Sequence, residues 1–180
     1  PLNVGCVVSN AATLFCIYEA MEGRPFTQKY LTVTGAVGKP VIAKVPIGTP
    51  VSECLKLAGG PFIPDYVVVN GGPMMGKLLT KEEAENAWVT KTMSGLIVLP
   101  ADSSIARRSE VTVRHMLNRA KSACIQCSFC SQLCPRALLG HPLKPHRIMR
   151  KLASCHDITE ILDDSDIRNA ALCCECGICE

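Results

Sequence analysis

The feature that most constrains this chain is a run of four cysteines with the spacing CxxCxxCxxxC, formed by Cys124, Cys127, Cys130 and Cys134 and followed by Pro135. Three thiolates at intervals of three residues surround one cubane iron–sulfur cluster, and the longer gap with its proline turns the fourth thiolate away. Zinc prefers two separated CxxC pairs in a tetrahedral site, where a third evenly spaced cysteine has no role. The spacing therefore predicts a 4Fe-4S cluster.

A second run near the C-terminus repeats the first three positions of this motif and is followed by Glu180. In paired motifs of this kind, the fourth cysteine of one run ligates the cluster of the other run. We therefore expect the first cluster to need a ligand beyond Glu180, in a longer protein of which this sequence is a piece, and to be labile or three-coordinate here. The predicted ligands are Cys124, Cys127 and Cys130 for the first cluster, and Cys134, Cys173, Cys176 and Cys179 for the second.

The other five of the twelve cysteines are scattered along the chain. Disulfide frameworks belong mainly to small secreted domains with poor cores and distribute their cysteines over the whole chain, so the bunching here favours metal. Cys174 breaks the motif spacing and is interpreted as a bystander. Cysteines outside metal sites are commonly small buried hydrophobes, and we expect this of Cys6, Cys16, Cys54 and Cys155.

The formal charge of +3 conceals a strong asymmetry along the chain. Residues 1–106 carry eight basic and eight acidic side chains, residues 107–151 carry ten basic side chains against Glu110, and residues 156–180 carry Arg168 against seven acidic side chains. A basic middle and an acidic tail form either a docking surface or two segments that pair with each other. The pattern favours pairing slightly.

Composition argues against nucleic acid and membrane roles. Aromatic residues make up 4% of the chain, which supplies few stacking platforms for single-stranded nucleic acid. No apolar run approaches the roughly 18 residues of a membrane span. No secretory signal pattern is visible, so cytoplasm is the default expectation.

Local patterns predict an α+β fold with a small β-grasp sheet followed by a mainly helical cysteine-rich region. Ser9 or Asn10 caps an opening helix that stops at Gly23. Short strands follow from Tyr30 to Ile47, and Thr49 caps a helix with Pro50 at its first position and Gly59 at its end. Further strands are predicted at 66–70 and 95–99, with a turn at 71–76 between them.

The remaining segments are predicted to be helical around the cysteine motifs. Residues 103–121 contain no Gly or Pro and are expected to form a helix that links two domains. Pro145 opens a helix that runs to about Ala153. Asp157 with Glu160 makes a capping-box start for another helix. His141 and His146 lie near the start of the helix that Pro145 opens. They are interpreted as capping or surface residues rather than as cobalamin contacts.

With these motifs placed, the chain resembles the flavoprotein family that includes the C subunit of the Rnf electron-transport complex and the cobalamin reductase of propanediol-utilising microcompartments. The resemblance covers nearly the whole chain, and the tract LLGHPLKPHRIMR at 138–150 is closer to the reductase branch. It rests on both cysteine runs and on Asn10-Ala11-Ala12-Thr13, Thr32-Val33-Thr34-Gly35, Ile47-Gly48-Thr49-Pro50 and Gly71-Gly72-Pro73-Met74-Met75-Gly76.

The resemblance implies three successive domains. Residues 1–28 correspond to the tail of a flavin- and NADH-binding domain, 29–102 to a soluble-ligand-binding β-grasp (SLBB-like) domain, and 103–180 to a 4Fe-4S dicluster domain truncated at its C-terminal end. FMN and NADH are implied for the intact protein, but no GxGxxG segment follows a strand here and no residue is assigned to them. No residue pair indicates acid–base or nucleophilic catalysis.

The resemblance also implies the function. The intact protein is expected to be an NADH- and flavin-dependent oxidoreductase that reduces cobalamin in a bacterial microcompartment, and this piece alone an electron-transfer module. The implied partners are a redox protein, or cobalamin with its adenosyltransferase, and the microcompartment shell. Two alternatives stay open: an Rnf-like carrier between ferredoxin and NAD, and a noncatalytic structural metal protein.

Overall fold

The computed structural model describes residues 4–108 and 110–179. The chain divides into two compact units, Pro1–Ser109 and Glu110–Glu180. The division falls inside the segment that the sequence predicts as an interdomain connection. The bounds of the three domains inferred from the resemblance stay predictions.

A mixed five-stranded sheet forms the centre of the first unit. Its spatial order is β2-β1-β5-β3-β4. β1 and β5 are parallel, whereas the other three neighbouring pairs are antiparallel. The strands are β1 (Gln28–Gly35), β2 (Val41–Pro46), β3 (Tyr66–Asn70), β4 (Lys77–Leu79) and β5 (Gly95–Pro100).

One face of this sheet is covered and forms the core with α2 (Val51–Leu57). Alternate residues of β1 point into this core, and Leu31 and Val33 are fully buried. The predicted α+β class is confirmed. The side chains that close the core around them are Val45, Val51, Cys54, Leu55, Ala58, Val68, Leu96 and Val98.

The opening helix, α1 (Ala11–Met21), begins as predicted, because the Asn10 side chain accepts a hydrogen bond from the Ala12 N–H. Its apolar positions do not enter the core: Leu14, Ile17 and Met21 are exposed. The helix is therefore apolar in sequence without being buried in this unit.

The expected cap of α2 is wrong by one residue. Pro50, and not Thr49, is the N-cap, and no side chain caps this helix. The Thr49 hydroxyl instead donates to the Pro46 carbonyl. The end is as predicted, since the Gly60 N–H donates to the Leu55 carbonyl.

The sequence reasoning missed β4 and the short helix α3 (Lys81–Glu85). α3 starts with a complete capping box: the Thr80 hydroxyl accepts from the Glu83 N–H (3.2 Å), and the Glu83 carboxylate accepts from the Thr80 N–H (2.8 Å). This second hydrogen bond is the main reason that the pKa of Glu83 lies below its ordinary value of 4.5.

We expect Thr80→Ala to lower the stability of the first unit by about 1 kcal/mol, because the cap of α3 is lost. Glu83→Gln should also destabilise at neutral pH. Because the folded-state pKa of Glu83 is depressed, its contribution is present above pH 4.5 and disappears as the pH falls through the folded value. Urea unfolding followed by Trp88 fluorescence should therefore show that the difference in unfolding free energy between Glu83→Gln and the parent becomes smaller in acid. A difference that stays the same at low pH would contradict the capping role.

The linking segment is not one helix. It is divided into α4 (Ser104–Arg108) and α5 (Val113–Ala123). Thr112 caps α5 by accepting a hydrogen bond from the His115 N–H (3.3 Å). A threonine at this position competes with a continuous helix by offering its hydroxyl to the backbone, which is why the break occurs here.

The second unit is built from short helices around the two cysteine motifs. The helix opened by Pro145 ends at Ser154, one residue past the prediction. Asp157 caps a 3-10 helix, Ile158–Ile161, where the sequence predicted a longer helix. No helix in residues 4–108 or 110–179 is both long and apolar enough to cross a membrane. The helices after α5 are α6 (Phe129–Gln132), α7 (Pro135–Leu138), α8 (Pro145–Ser154), α9 (Ser165–Arg168) and a second 3-10 helix at Asn169–Leu172.

Candidate metal centre

The two cysteine motifs have the same backbone pattern. In the first, Gln126 (φ 58°) and Ser128 (φ 63°) flank Cys127, and both are in the left-handed region. In the second, Glu175 (φ 52°) and Gly177 (φ 76°) occupy the equivalent places around Cys176. Gln126, Ser128 and Glu175 are the only non-glycine residues with positive φ in the part of the chain that the structure describes.

Left-handed residues at alternate positions turn successive backbone N–H groups toward one side of a loop, which forms a concave site for anions. Non-glycine residues in this region cost about 1–3 kcal/mol each, and such strain concentrates at functional sites. Nothing in the sequence signals the three positions, since Gln, Ser and Glu do not demand positive φ as glycine does. Because both loops place left-handed residues on either side of their middle cysteine, both motifs have the same spacing between cysteines.

The thiols of both loops already accept hydrogen bonds. The Gln126 side-chain amide donates to Cys124 Sγ (3.0 Å), and the Glu175 N–H donates to Cys173 Sγ (3.2 Å). Hydrogen bonds to ligand sulfurs stabilise negative charge on them and tune the potential of an iron–sulfur cluster. The first thiol of each motif is thus oriented by its own loop.

Cys179 of the second motif lies near enough to Cys130 of the first for their charges to interact. Burial raises the pKa of the Cys179 thiol, and the charges of Cys173, Cys130 and Cys176 raise it further. The neighbour from the first motif in this set is Cys130, and not Cys134. Ligation of the second cluster by Cys134 therefore stays a prediction, as do the other ligand assignments.

Cys134 differs from the other motif cysteines because it is buried, with 7% of its surface exposed. It is the N-cap residue of α7, and Pro135 fixes the first helical position after it. The chain therefore turns into a helix directly after the fourth cysteine, and the predicted direction of its thiolate stays a prediction.

The donors and the backbone of these loops fit a 4Fe-4S cluster. Thiolates at the required intervals and inward-turning N–H groups are what a cubane needs. Among the residues that the structure describes, no three His, Cys, Asp or Glu side chains lie close enough together to hold a metal ion. The residues therefore fit a cluster in their donor type and backbone conformation. Binding of a cluster would have to bring the thiols together.

The expectation for the scattered cysteines holds only in part. Cys54 and Cys155 are buried, whereas Cys6 is exposed and Cys16 is partly exposed. The prediction that Cys6 is buried is therefore wrong, since this residue lies ahead of the first helix and outside the core of the first unit. Burial also raises the pKa of the Cys54 thiol, which keeps it protonated and unreactive at neutral pH.

Part of the acidic tail pairs with the basic middle of the chain. Lys151 Nζ of α8 lies 2.5 Å from Asp164 Oδ2 and 3.0 Å from Asp166 Oδ2, and Arg147 lies 3.8 Å from Asp166. The hydrogen bond that Lys151 donates to Asp164 is the main cause of the raised pKa of Lys151. These contacts join α8 to α9 and support the pairing interpretation at this end of α8.

His146 contacts a residue inside the first cysteine motif. Its ring Nδ1 lies 2.6 Å from the Ser131 hydroxyl oxygen, and its backbone N–H donates to the same oxygen (3.1 Å). Ser131 directly follows Cys130, so this contact fixes the start of α8 against the first cysteine loop. His146 lies in the first turn of α8 but does not cap it, and it is half-buried, so its interpretation as a capping or surface residue is not matched by this geometry.

A cleft of about 830 Å³ opens in the first unit between α1 and the β1–β2 hairpin. Phe15 and Tyr30 meet edge to face there, and Lys44 Nζ lies 5.6 Å from the Tyr30 ring centroid. The volume is in the range of small-molecule sites. None of the predicted cluster ligands lines this cleft.

Comparisons with known proteins match both halves of the chain. Residues 30–78 match the family model of the SLBB domain, and residues 123–180 match that of the 4Fe-4S dicluster domain. The second match includes all seven predicted cluster ligands.

The chain is also similar to curated full-length proteins. It is 41% identical to cobalamin reductase PduS of Citrobacter freundii and 42% identical to that of Salmonella typhimurium, in both cases over 100% of this chain and 39% of the relative. It is 34% identical to the C subunit of the ion-translocating oxidoreductase complex of Erwinia tasmaniensis, over 78% of this chain and 16% of that protein. The chain thus spans about two fifths of the length of its cobalamin reductase relatives.

Proposed function

This chain belongs to the family of SLBB and 4Fe-4S dicluster proteins that includes cobalamin reductase and the C subunit of ion-translocating oxidoreductase complexes, and on that premise we propose that it relays electrons through two 4Fe-4S clusters in an NADH- and flavin-dependent cobalamin reductase. The observation that carries the proposal is the pair of cysteine loops with matched left-handed positions. The similarity to cobalamin reductases, which extends over the whole of this chain, supports the choice of reaction.

When bound, the clusters supply one-electron transfer. The residues of this chain would hold them and control their surroundings: the seven motif cysteines would provide thiolates, and the left-handed positions would orient backbone N–H groups around the sulfurs. The substrate chemistry belongs to parts of the whole protein that bind flavin, NADH and cobalamin. We place the whole protein in the cytoplasm of a bacterium, inside a microcompartment, with cobalamin or its adenosyltransferase as the acceptor.

An Rnf-like role in electron exchange between ferredoxin and NAD is the second candidate, favoured by the similarity to the C subunit of ion-translocating oxidoreductase complexes. That similarity is weaker and covers less of this chain than the similarity to cobalamin reductase. Adjacent genes for shell proteins would favour the reductase, and adjacent genes for membrane subunits would favour the Rnf-like role.

The proposal is tested first by metal content. We expect anaerobically reconstituted chain to absorb near 400 nm and to retain about three or four irons with matching sulfide, because only the second cluster has all its predicted ligands here. A version extended past Glu180 should hold about eight irons and give two coupled EPR signals after dithionite reduction. Zinc in both versions, with no visible absorption, would replace electron transfer with the structural alternative.

The reductase assignment needs its own measurement. The full-length protein, loaded with iron and flavin, should reduce cobalamin with NADH as the electron donor. Loss of this activity in Cys176→Ala, with flavin reduction by NADH retained, would place the clusters between flavin and acceptor. Iron-loaded full-length protein that reduces ferredoxin but not cobalamin would favour the Rnf-like role.

A further inference from the structure

Arg136 carries a buried nitrogen without a partner. Its Nε is the one buried side-chain nitrogen or oxygen, among the residues that the structure describes, that makes no hydrogen bond. The residue is half-buried, and no carboxylate in residues 4–108 or 110–179 forms an ion pair with it. A guanidinium whose N–H is removed from water and left unpaired is costly, so an anion is expected beside it.

The position of Arg136 points to the missing anion. It lies two residues after Cys134, in the first turn of α7, and Cys134 is the most buried of the motif cysteines. Within residues 110–179, the acidic side chains whose ion pairs the structure describes contact Arg147, Lys151 and Arg168. In the sequence, the nearest group to Arg136 that can carry a negative charge is the Cys134 thiol.

We propose that Arg136 is the charge partner of the cluster that Cys134 ligates and that it raises the reduction potential of this cluster. The inference rests on the proposed function, since it requires the cluster to be bound. Reduction adds one electron and therefore one negative charge to an already anionic group, and a fixed positive charge nearby stabilises the reduced form more than the oxidised form. Because the nitrogen is shielded from water, salt screens this effect less than that of a surface charge.

Three variants of the reconstituted protein separate charge from shape. Arg136→Met removes the charge and keeps an apolar stem of similar length, Arg136→Lys keeps the charge, and Arg150→Met removes an exposed arginine of α8 as a matched control. The measurement is the EPR signal of the second cluster during redox titration, at low and high salt.

We expect Arg136→Met to reduce about tenfold the ratio of reduced to oxidised second cluster at the potential that half-reduces the parent, which corresponds to ~59 mV for one electron. Arg136→Lys should keep most of the parent potential. Arg150→Met should cause a small shift that high salt removes, whereas the shift in Arg136→Met should persist.

Three outcomes would overturn the proposal: no shift in Arg136→Met, an equal shift in Arg150→Met, or a tenfold change in Arg136→Lys. If Arg136→Met fails to bind the cluster, the titration of Arg136→Lys decides alone by the same criterion. Iron and sulfide content distinguish the proposed function from the role of Arg136. A parent protein without iron refutes the proposed function. A parent protein with iron whose reduction potential does not depend on the charge at position 136 refutes only the role of Arg136.

Discussion

Cys134→Ala is expected to remove the same cluster as Cys176→Ala, although Cys134 belongs to the other motif. In a version extended past Glu180, each variant should lose about four of about eight irons, and both should lose the same EPR signal. Cys127→Ala should lose the other signal. The reason is the longer gap before Cys134 and the proline after it, which separate this thiolate from the three that precede it.

Two further variants serve as controls. Cys130→Ala should behave like Cys127→Ala, which matters because Cys130 is the thiol of the first motif that influences the pKa of Cys179. Cys155→Ala should keep all the iron, because this buried cysteine donates to the Leu152 carbonyl and is no predicted ligand. If Cys134→Ala lost the signal that Cys127→Ala loses, the crossed ligation would be wrong.

Gly35→Ala is expected to destabilise the first unit by on the order of 3 kcal/mol. Gly35 ends β1 with φ +94°, a conformation that L side chains rarely adopt, and a Cβ there would overlap the backbone carbonyl oxygen of Val98. Val98 is its partner in the parallel pairing of β1 with β5. Because the obstacle is backbone in the middle of the sheet, it cannot move aside as a flexible side chain would.

Gly48→Ala provides the matched control. Its φ is +91°, but nothing lies within 4 Å of a Cβ built there, so only the backbone strain of about 1 kcal/mol should appear. Urea unfolding read by the fluorescence of Trp88, the sole tryptophan, measures both variants in the same unit. Equal losses of unfolding free energy in the two variants would mean that the close approach to the Val98 backbone adds nothing to the cost of a side chain at position 35.

Local sequence signals predicted the elements whose causes are local. The cap at Asn10, the strand Tyr66–Asn70 and the helix opened by Pro145 all depend on neighbouring residues, and the structure has them at or within one residue of the expected bounds. The order of strands in the sheet depends on contacts distant in sequence. The parallel pairing of β1 with β5 joins residues more than sixty positions apart, which no periodicity reveals.

The elements that the sequence did not predict were missed for physical reasons. β4 has three residues and α3 has five, too few for a periodic pattern to emerge. The break between α4 and α5 contains neither Gly nor Pro, and a threonine cap causes it. At the site, the cysteine spacing provides a set of ligands that stays a prediction, whereas the unpaired Arg136 Nε depends on tertiary packing and leaves no pattern in the sequence.

The strained loop positions tie the folding of the second unit to iron. Without a cluster, Gln126, Ser128 and Glu175 each still carry the backbone cost of the left-handed conformation. A ligand that binds only the folded form adds its binding free energy to stability, so the loaded unit resists opening and the empty one yields more readily to proteases. In a cell, the amount of this protein would then follow the supply of iron and sulfide, with unloaded chains removed before they could occupy a place in the electron-transfer path.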